Sequence, residues 1–345
     1  MLKTAHTQNG TRPVHLAGVV KQNVDARDDR FRLRVPAGLT PIPVSVDNRI
    51  LCSPIEDQGN LGSCTAHSIS GLVEANENRR INGTTTPPVR TVSVSSQAIV
   101  QKAVVVTTTL TPSWAIDQTK PVTVALDTPS VSADGTSVKL GLGLNLPTPP
   151  APPTPKFTHL SRLFQYYATR KLMGTLNQDS GASIRDAIKA AVQSGCADET
   201  LWPYNTANYQ SNPPATVWTT ASTHKVTSYH AITDGDLPSM KSALASGYLV
   251  SFGFVVYDDF MSRQMAVSGL LCRPTATEQQ QGGHAVALVG YDDNKVMPDG
   301  SKGAFLVRNS WGTNWGQAGY FWMAYNYASD PKLAWDFWVI QSSPL

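Results

Sequence analysis

Cysteine is scarce in this chain: Cys52, Cys64, Cys196 and Cys272 are the only four in 345 residues. So few cannot form a disulfide scaffold, and the number fits a reducing compartment. Long apolar runs are also missing. No stretch reaches the roughly 18 residues that a membrane-spanning helix needs, so no membrane association is expected. Charge of one sign is not in excess, the formal net charge being +3. The basic residues are scattered except at Arg27, Arg30, Arg32 and Arg34, which surround Asp28 and Asp29; this is a solvated stretch and not a nucleic-acid footprint. The opening MLKTAHTQNG lacks the apolar region of a secretory signal, and the expected location is cytoplasmic, or exported without a classical signal peptide. There is no phosphate-cradling glycine loop, and His67, His159, His224 and His230 show no ligand spacing. Neither a metal nor a cofactor is expected.

The length suffices for a full core in two lobes or domains. Residues 1–40 read as a polar extension ending near PAGLTPIP, where three prolines discourage regular structure. After Cys64, the positions Ala66, Ile69, Leu72 and Val73 keep a helical stripe that stops near Gly83. From Thr84 to Lys156 the composition shifts to threonine, valine and serine with little charge. RTVSVSS, AIVQKAVVVTTTL, KPVTVAL and TSVKLGLGLNL read as short strands joined by turns such as Ala133-Asp134-Gly135. The stretch closes on PTPPAPPTPK, a polyproline II-like linker. Residues 84–156 are therefore expected to be an inserted small β module, with room for a partner of its own.

Helical patterning resumes in THLSRLFQYYATRK and continues in DSGASIRDAIKAAVQSG, where Ile184, Ile188, Ala191 and Val192 share a face and Gly195 fits a C-terminal stop. Beyond Lys225 the character is β: VTSY, YLVSFGFVV, HAVALVGY, AFLVRNS, GYFWMAY and WDFWVIQ. Helices first and strands second imply an α+β protein of two lobes. The expected organisation is a helical lobe from 41–83 and 157–225 and a β lobe from 226–345.

Four residues carry the chemistry. Gly62-Ser63-Cys64 precedes the helical stripe, so the sulfur sits at a positive helix end. A helix N-terminus and a nearby imidazolium both lower a thiol's pKa, and only the thiolate attacks well. His284 opens one strand-like run and Asn309 lies near the end of the next. If the two strands form a hairpin, its midpoint falls between Val296 and Met297, which places His284 opposite Asn309 at the open end. The asparagine oxygen would then fix the imidazole while the other ring nitrogen faces the sulfur. Gln58 stands six residues before Cys64, and its amide could join the Cys64 N–H as an oxyanion-hole donor, each such donor contributing roughly 3 kcal/mol to a transition state. If Cys64 is the nucleophile it stays a free thiol. The other three cysteines then allow one pair at most, Cys52 with Cys196, or none, as buried thiols.

Gln58-Gly59, Gly62-Ser63-Cys64 and Ala66, with His284-Ala285-Val286 and Asn309-Ser310-Trp311-Gly312, resemble the papain-like cysteine proteases, the family of papain and the cathepsins. Val46-Asp47-Asn48-Arg49 is similar to that family's entry to the mature domain, and NSWGTNWGQAGY is a specific match. The resemblance implies a helical left lobe and a β-barrel-like right lobe. It also implies that Trp311 shields the His284–Asn309 bond and that Ser180-Gly181-Ala182 pairs with substrate backbone. Gly253, Gly282 and Trp335 would form a second specificity pocket for modest apolar side chains. Leu61 replaces the first cysteine of the family's Cys-Gly-Ser-Cys-Trp pattern and Thr65 its tryptophan, which is similar to microbial members. The family places its histidine about 130–150 residues after the cysteine. Here the gap is 220, and removing the 73 residues from 84 to 156 leaves 147.

The leading expectation is a cysteine endopeptidase acting on a peptide or protein through a thioester on Cys64. The alternative is a retired scaffold that serves as a binding or structural protein through the inserted module. A variant with one end of the cleft blocked, an aminopeptidase or amide ligase, stays open. Residues 1–40 are expected to lie across the cleft as a single strand and restrain it.

Overall fold

A computed structural model describes residues 2–16, 18–21, 42–81 and 157–342, with the backbone of four short strands between 124 and 144. The chain divides into two compact units, Met1–Gly83 with Lys156–Leu345, and Thr84–Pro155. Residues 22–41, the expected strands at 90–96 and 98–110, the turn at 133–135 and the proline linker lie outside the described residues.

In chain order the elements begin with β1 (Leu2–Thr7), β2 (Gly10–His15), β3 (Ser45–Asp47) and α1 (Cys64–Ile81). The second unit contributes β4 (Val124–Leu126), β5 (Ser130–Val131), β6 (Val138–Lys139) and β7 (Leu142–Leu144), with β4 antiparallel to β7 and β5 to β6. The first unit resumes with α2 (Arg162–Met173), α3 (Ile184–Gln193), α4 (Ala215–Ala221), β8 (Val226–Ile232), α5 (Leu237–Ala245), β9 (Val250–Tyr257) and α6 (Arg263–Ser268). It ends with β10 (Leu270–Leu271), β11 (Gln280–Val296), β12 (Lys302–Arg308), β13 (Tyr320–Ala324), α7 (Tyr325–Ala328) and β14 (Ala334–Ser342).

Local sequence explains where the helices begin and stop. Ser161 caps α2 by accepting from the Phe164 N–H, and Gly174 ends it in the left-handed region at φ 71°. Ser183 caps α3 through the Asp186 N–H, and the Asp186 carboxylate adds negative charge to the first turn. Helix α1 is buried on every side from Cys64 to Asn78, a wider burial than its apolar stripe implies. It lies between the large sheet and the pair α2–α3, so its polar side chains must find partners inside. Glu74 accepts from Ser53 Oγ, from the Leu160 N–H at 2.7 Å and from Arg162 Nη2 at 2.6 Å. Glu77 meets His224 Nδ1 at 2.9 Å, and Asn76 donates to the Ile340 carbonyl at 2.9 Å.

The large sheet follows the order β10-β13-β12-β11-β9-β14-β8, with β3 paired to β11. It is an open path that does not close, as β10 has two residues and offers β8 no ladder, and with the helices it makes the α+β fold expected. Alternate residues of β9 serve two cores: Phe252, Phe254 and Val256 face one, and Val255 faces the other with Ala285, Ala287 and Cys64. The segment β1–β2, expected as irregular polar chain, is an antiparallel hairpin with a two-residue turn, Gln8-Asn9. Ala5, Val14 and Leu16 enter the first core beside Trp311 and Trp315.

The β11–β12 register also departs from expectation. Ala287 pairs with Arg308, and shifts occur between Leu288 and Gly290 and between Asp292 and Val296. Continued outward, this ladder sets Asn309 across from Val286, two residues from His284. The extra residues accommodate β3 on the same strand, where a Cβ at Gly290 would lie 2.3 Å from the Val46 carbonyl oxygen.

The Arg162–Glu74 pair is fully buried, so removing one partner strands a charge. Arg162→Ala should cost about 3–5 kcal/mol in urea unfolding, and the double replacement E74L/R162M should cost less.

Candidate active site

Cys64 is the first residue of α1, so its own N–H has no intrahelical acceptor. The N–H groups of Ala285, Thr65 and Cys64 itself favour the thiolate, but burial outweighs them and pushes the thiol up to about 12. The Ala285 contact sets the sulfur beside the residue that follows His284. The His284 ring, on β11, is fully buried and its Nε2 bonds Asn309 Oδ1 at 2.8 Å. That oxygen also accepts from the Ser310 N–H at 2.8 Å, so Nε2 carries the proton. Nδ1 is buried with no hydrogen-bond partner. Burial draws His284 down to about 4; the Asn309 bond opposes this and the Arg12 charge adds to it. Trp311 covers the ring at a centroid distance of 5.2 Å and an interplanar angle of 31°. The pairing of His284 with Asn309 therefore survives the two-residue offset, as diagonal neighbours can reach one another.

Gln58 is buried, with Oε1 accepting from Ser310 Oγ at 2.6 Å and Nε2 donating to the Leu61 carbonyl at 2.9 Å. The second amide hydrogen stays available. Tyr204, which sequence reasoning did not single out, donates to the Gln58 carbonyl at 2.9 Å and bonds Ser63 Oγ at 2.6 Å. It thereby joins the two ends of the loop that carries both oxyanion donors. Its position after a Trp-Pro dipeptide gave no periodic signal.

Residues 16 and 18–21 cross this site. Gly283 donates to the Leu16 carbonyl at 2.8 Å. The Gly18 carbonyl accepts from Ala182 at 3.0 Å, and Val20 donates to the Ala182 carbonyl at 3.0 Å, forming a parallel bridge between Val19 and Ala182. A Cβ at Gly18 would lie 2.5 Å from Cys64 Sγ. Val19 fills a pocket: its methyls lie 3.3 Å and 2.9 Å from where Cβ atoms at Gly253 and Gly283 would stand, and the Trp335 indole closes the Gly253 side at 3.1 Å. Lys21 Nζ lies 5.0 Å from the Trp335 ring centroid. Arg12 anchors the preceding hairpin to the Trp311 carbonyl at 2.8 Å, to Asp57 and to the Gly59 carbonyl.

The expected site residues thus fall into three groups. Gln58, Cys64, His284, Asn309 and Trp311 converge. Ala182, flanked by Ser180 and Gly181, carries the backbone pairing, and Gly253 and Trp335 line the pocket. Gly282 does not: a Cβ there would meet the Leu16 carbonyl at 2.4 Å, whereas one at Gly283 would meet Val19, so Gly283 takes the wall position. All four cysteines are free, including Cys52 and Cys196.

The comparisons with known proteins point to one family. A model of the papain family cysteine proteases matches residues 175–335, a stretch beginning after Cys64. An uncharacterized peptidase C1-like protein of Acanthamoeba polyphaga mimivirus is 40% identical over 188 residues, covering 52% of this chain and 58% of that protein. Pro-cathepsin H of Bos taurus is 40% identical over 91 residues, covering 26% and 25%. These matches span little more than half of the curated relatives at most. Among solved structures, xylellain, a cysteine protease from Xylella fastidiosa, is 28% identical, covers 95% of this chain and 96% of its own, and superposes with a TM-score of 0.63. Over these stretches the chain resembles the papain-like cysteine proteases, and it shares the fold of xylellain.

A thiol buried under Gly18 should alkylate slowly at neutral pH, whatever its helix position favours. Val19→Asp (V19D) puts a carboxylate into the apolar pocket. In the full chain it should speed iodoacetamide labelling of Cys64 by about tenfold or more, as a buried unpaired charge is expelled. Peptide mapping should find Cys52 and Cys196 unchanged.

Proposed function

We propose that the chain is a cysteine endopeptidase that cleaves peptide bonds by acyl transfer, held in check by its own N-terminal segment. The observation that carries the first part is His284, oriented by Asn309, with an unpartnered Nδ1 and with the next residue's N–H, that of Ala285, on the helix-start thiol. With substrate in place of the segment, the Cys64 thiol proton passes to Nδ1 and the sulfur bonds to the carbonyl carbon. The second Gln58 Nε2–H and the Cys64 N–H stabilise the oxyanion. Collapse breaks the C–N bond, and the Nδ1 proton goes to the leaving amine. Water, activated by the same nitrogen, then cleaves the thioester. Asn309 stays a hydrogen-bond acceptor throughout. None of these residues comes from 84–156, so that module is proposed as accessory to the chemistry. Retirement of the site is disfavoured because each position is filled.

The second part rests on polarity. A second specificity pocket takes the residue before the one whose carbonyl is attacked. Here Val19 occupies the pocket and Gly18 lies over the sulfur, so the segment runs opposite to a substrate. It uses the cleft's hydrogen bonds and apolar pocket without offering a carbonyl in the productive orientation. In this covered state the pair is a neutral thiol and a neutral imidazole.

Cys64→Ala should abolish hydrolysis of a fluorogenic peptide under reducing conditions. Asn309→Ala should leave measurable turnover, because it orients the base without moving a proton. Persistent turnover in C64A would overturn the assignment.

Acidity should loosen the cover. Burial draws His284 from 6.5 to about 4 in the covered chain, and the Arg12 charge on the covering hairpin adds to this; lifting the segment should raise it, so between those values the covered state binds fewer protons than an uncovered one. Its stability is present at higher pH and is lost as pH falls through that window. Turnover of the parent chain, divided by that of V19D at the same pH, should therefore rise from pH ~6.5 toward ~4.

A further inference from the structure

The hairpin places a second side chain in the cleft. His15, the last residue of β2, lies against the glycine wall beside the sulfur. A Cβ at Gly62 would stand 3.0 Å from its Nδ1, 2.8 Å from Asp179 Oδ1 and 3.3 Å from the Gly181 nitrogen. His15 Nε2 is 3.6 Å from Asp179 Oδ2, and its Nδ1 is buried without a partner. The notch exists because both of its backbone walls, Gly62 and Gly181, lack side chains.

Asp179 is fixed in place. It accepts from the Gly62 N–H at 3.0 and 3.1 Å and from the Tyr166 hydroxyl, which in turn accepts from the Gly181 N–H at 3.1 Å. The nearby Arg170 guanidinium interacts with this charge at a distance, while its two Nη groups donate to the carbonyls of Leu176, Gln178 and Tyr209. Among the described residues no lysine or arginine forms an ion pair with Asp179. Its charge therefore faces the notch, beside the His15 ring, which burial draws below its ordinary pKa.

Successive side chains of an extended chain point to opposite sides. A substrate that sends one side chain into the Gly253–Gly283–Trp335 pocket sends the next toward Gly62, Gly181 and Asp179. We propose that Asp179, with Gly62 and Gly181, forms a subsite for a lysine or arginine side chain on the substrate residue whose carbonyl Cys64 attacks. His15 occupies that subsite in the covered chain. The preferred substrate is then a peptide with a modest aliphatic residue followed by a basic one. This inference rests on the peptidase reading, and its test separates the two.

The test uses the full chain carrying V19D and His15→Ser, which clear the pocket and the notch. Blocked Val-Arg and Val-Gln fluorogenic amides are compared by kcat/KM, and binding of the same peptides to this chain with C64A added is measured by calorimetry. The arginine peptide should lead by about tenfold in turnover, as expected for a partly screened charge pair, and should bind more tightly. Asp179→Asn should bring the ratio toward one; a purely structural Asp179 would slow both peptides alike and leave the ratio unmoved. Equal handling of the two peptides, or a ratio unchanged by D179N, overturns the subsite. Arginine-selective binding that D179N removes, with no turnover in the V19D/H15S chain, keeps the subsite and overturns the peptidase reading. Neither binding nor turnover of either peptide overturns both.

Discussion

The site depends on one contact, the docking of the first turns of α1 against β11 and β9. Ser68, one turn after Cys64, donates to the Val286 carbonyl at 2.9 Å and bonds Ser251 Oγ at 2.7 Å. These bonds lock a helix near one end of the sequence to strands near the other. They fix the sulfur relative to His284 without any residue that bridges the two directly. Arg308 repeats the connection, donating to the Ser53 and Pro54 carbonyls ahead of the nucleophile loop. Because Arg308 immediately precedes Asn309, the strand end that carries the asparagine is tied to the loop that carries Gln58. A buried helix with polar side chains is costly unless each finds a partner. Here the partners come from strands and loops on both sides, so satisfying the helix also assembles the site.

Burial sets the chemistry of the covered state. Backbone N–H groups and the helix end both favour a thiolate, yet the thiol is pushed up to about 12 once water is excluded. The same exclusion keeps His284 neutral. The elements that make a reactive pair are thus present together with a lid of backbone that cancels their effect. The lid needs no charge of its own over the sulfur, since desolvation alone suffices.

Much of this was legible in the sequence because it is local. Cys64 at a helix start, the capped α2 and α3, and the β character after residue 225 follow from spacing and turn residues. Gln58, His284 and Asn309 stood out by the company they keep. The long-range parts were less visible. The hairpin of residues 2–15 has only Ala5 and Val14 as inward residues, too few to mark a strand by alternation, and it forms because Trp311 and Trp315 offer a surface. The β11–β12 register could not be counted from the loop, because β3 pairs with the same strand and forces bulges. Asp179 and Tyr204 act through partners over 100 residues away in sequence, which periodicity does not report.

Gly18 gives the cover a mutational asymmetry. Every amino-acid replacement at that position adds atoms where a Cβ would already stand 2.5 Å from the sulfur. Substitutions at Val19 can tighten or loosen the fit to its pocket, whereas substitutions at Gly18 can only lift the segment. Errors in copying this codon therefore act in one direction, toward an uncovered sulfur. On the proposed reading of a self-restrained peptidase, residue 18 is a position where no allele improves the restraint and almost any missense change undoes it.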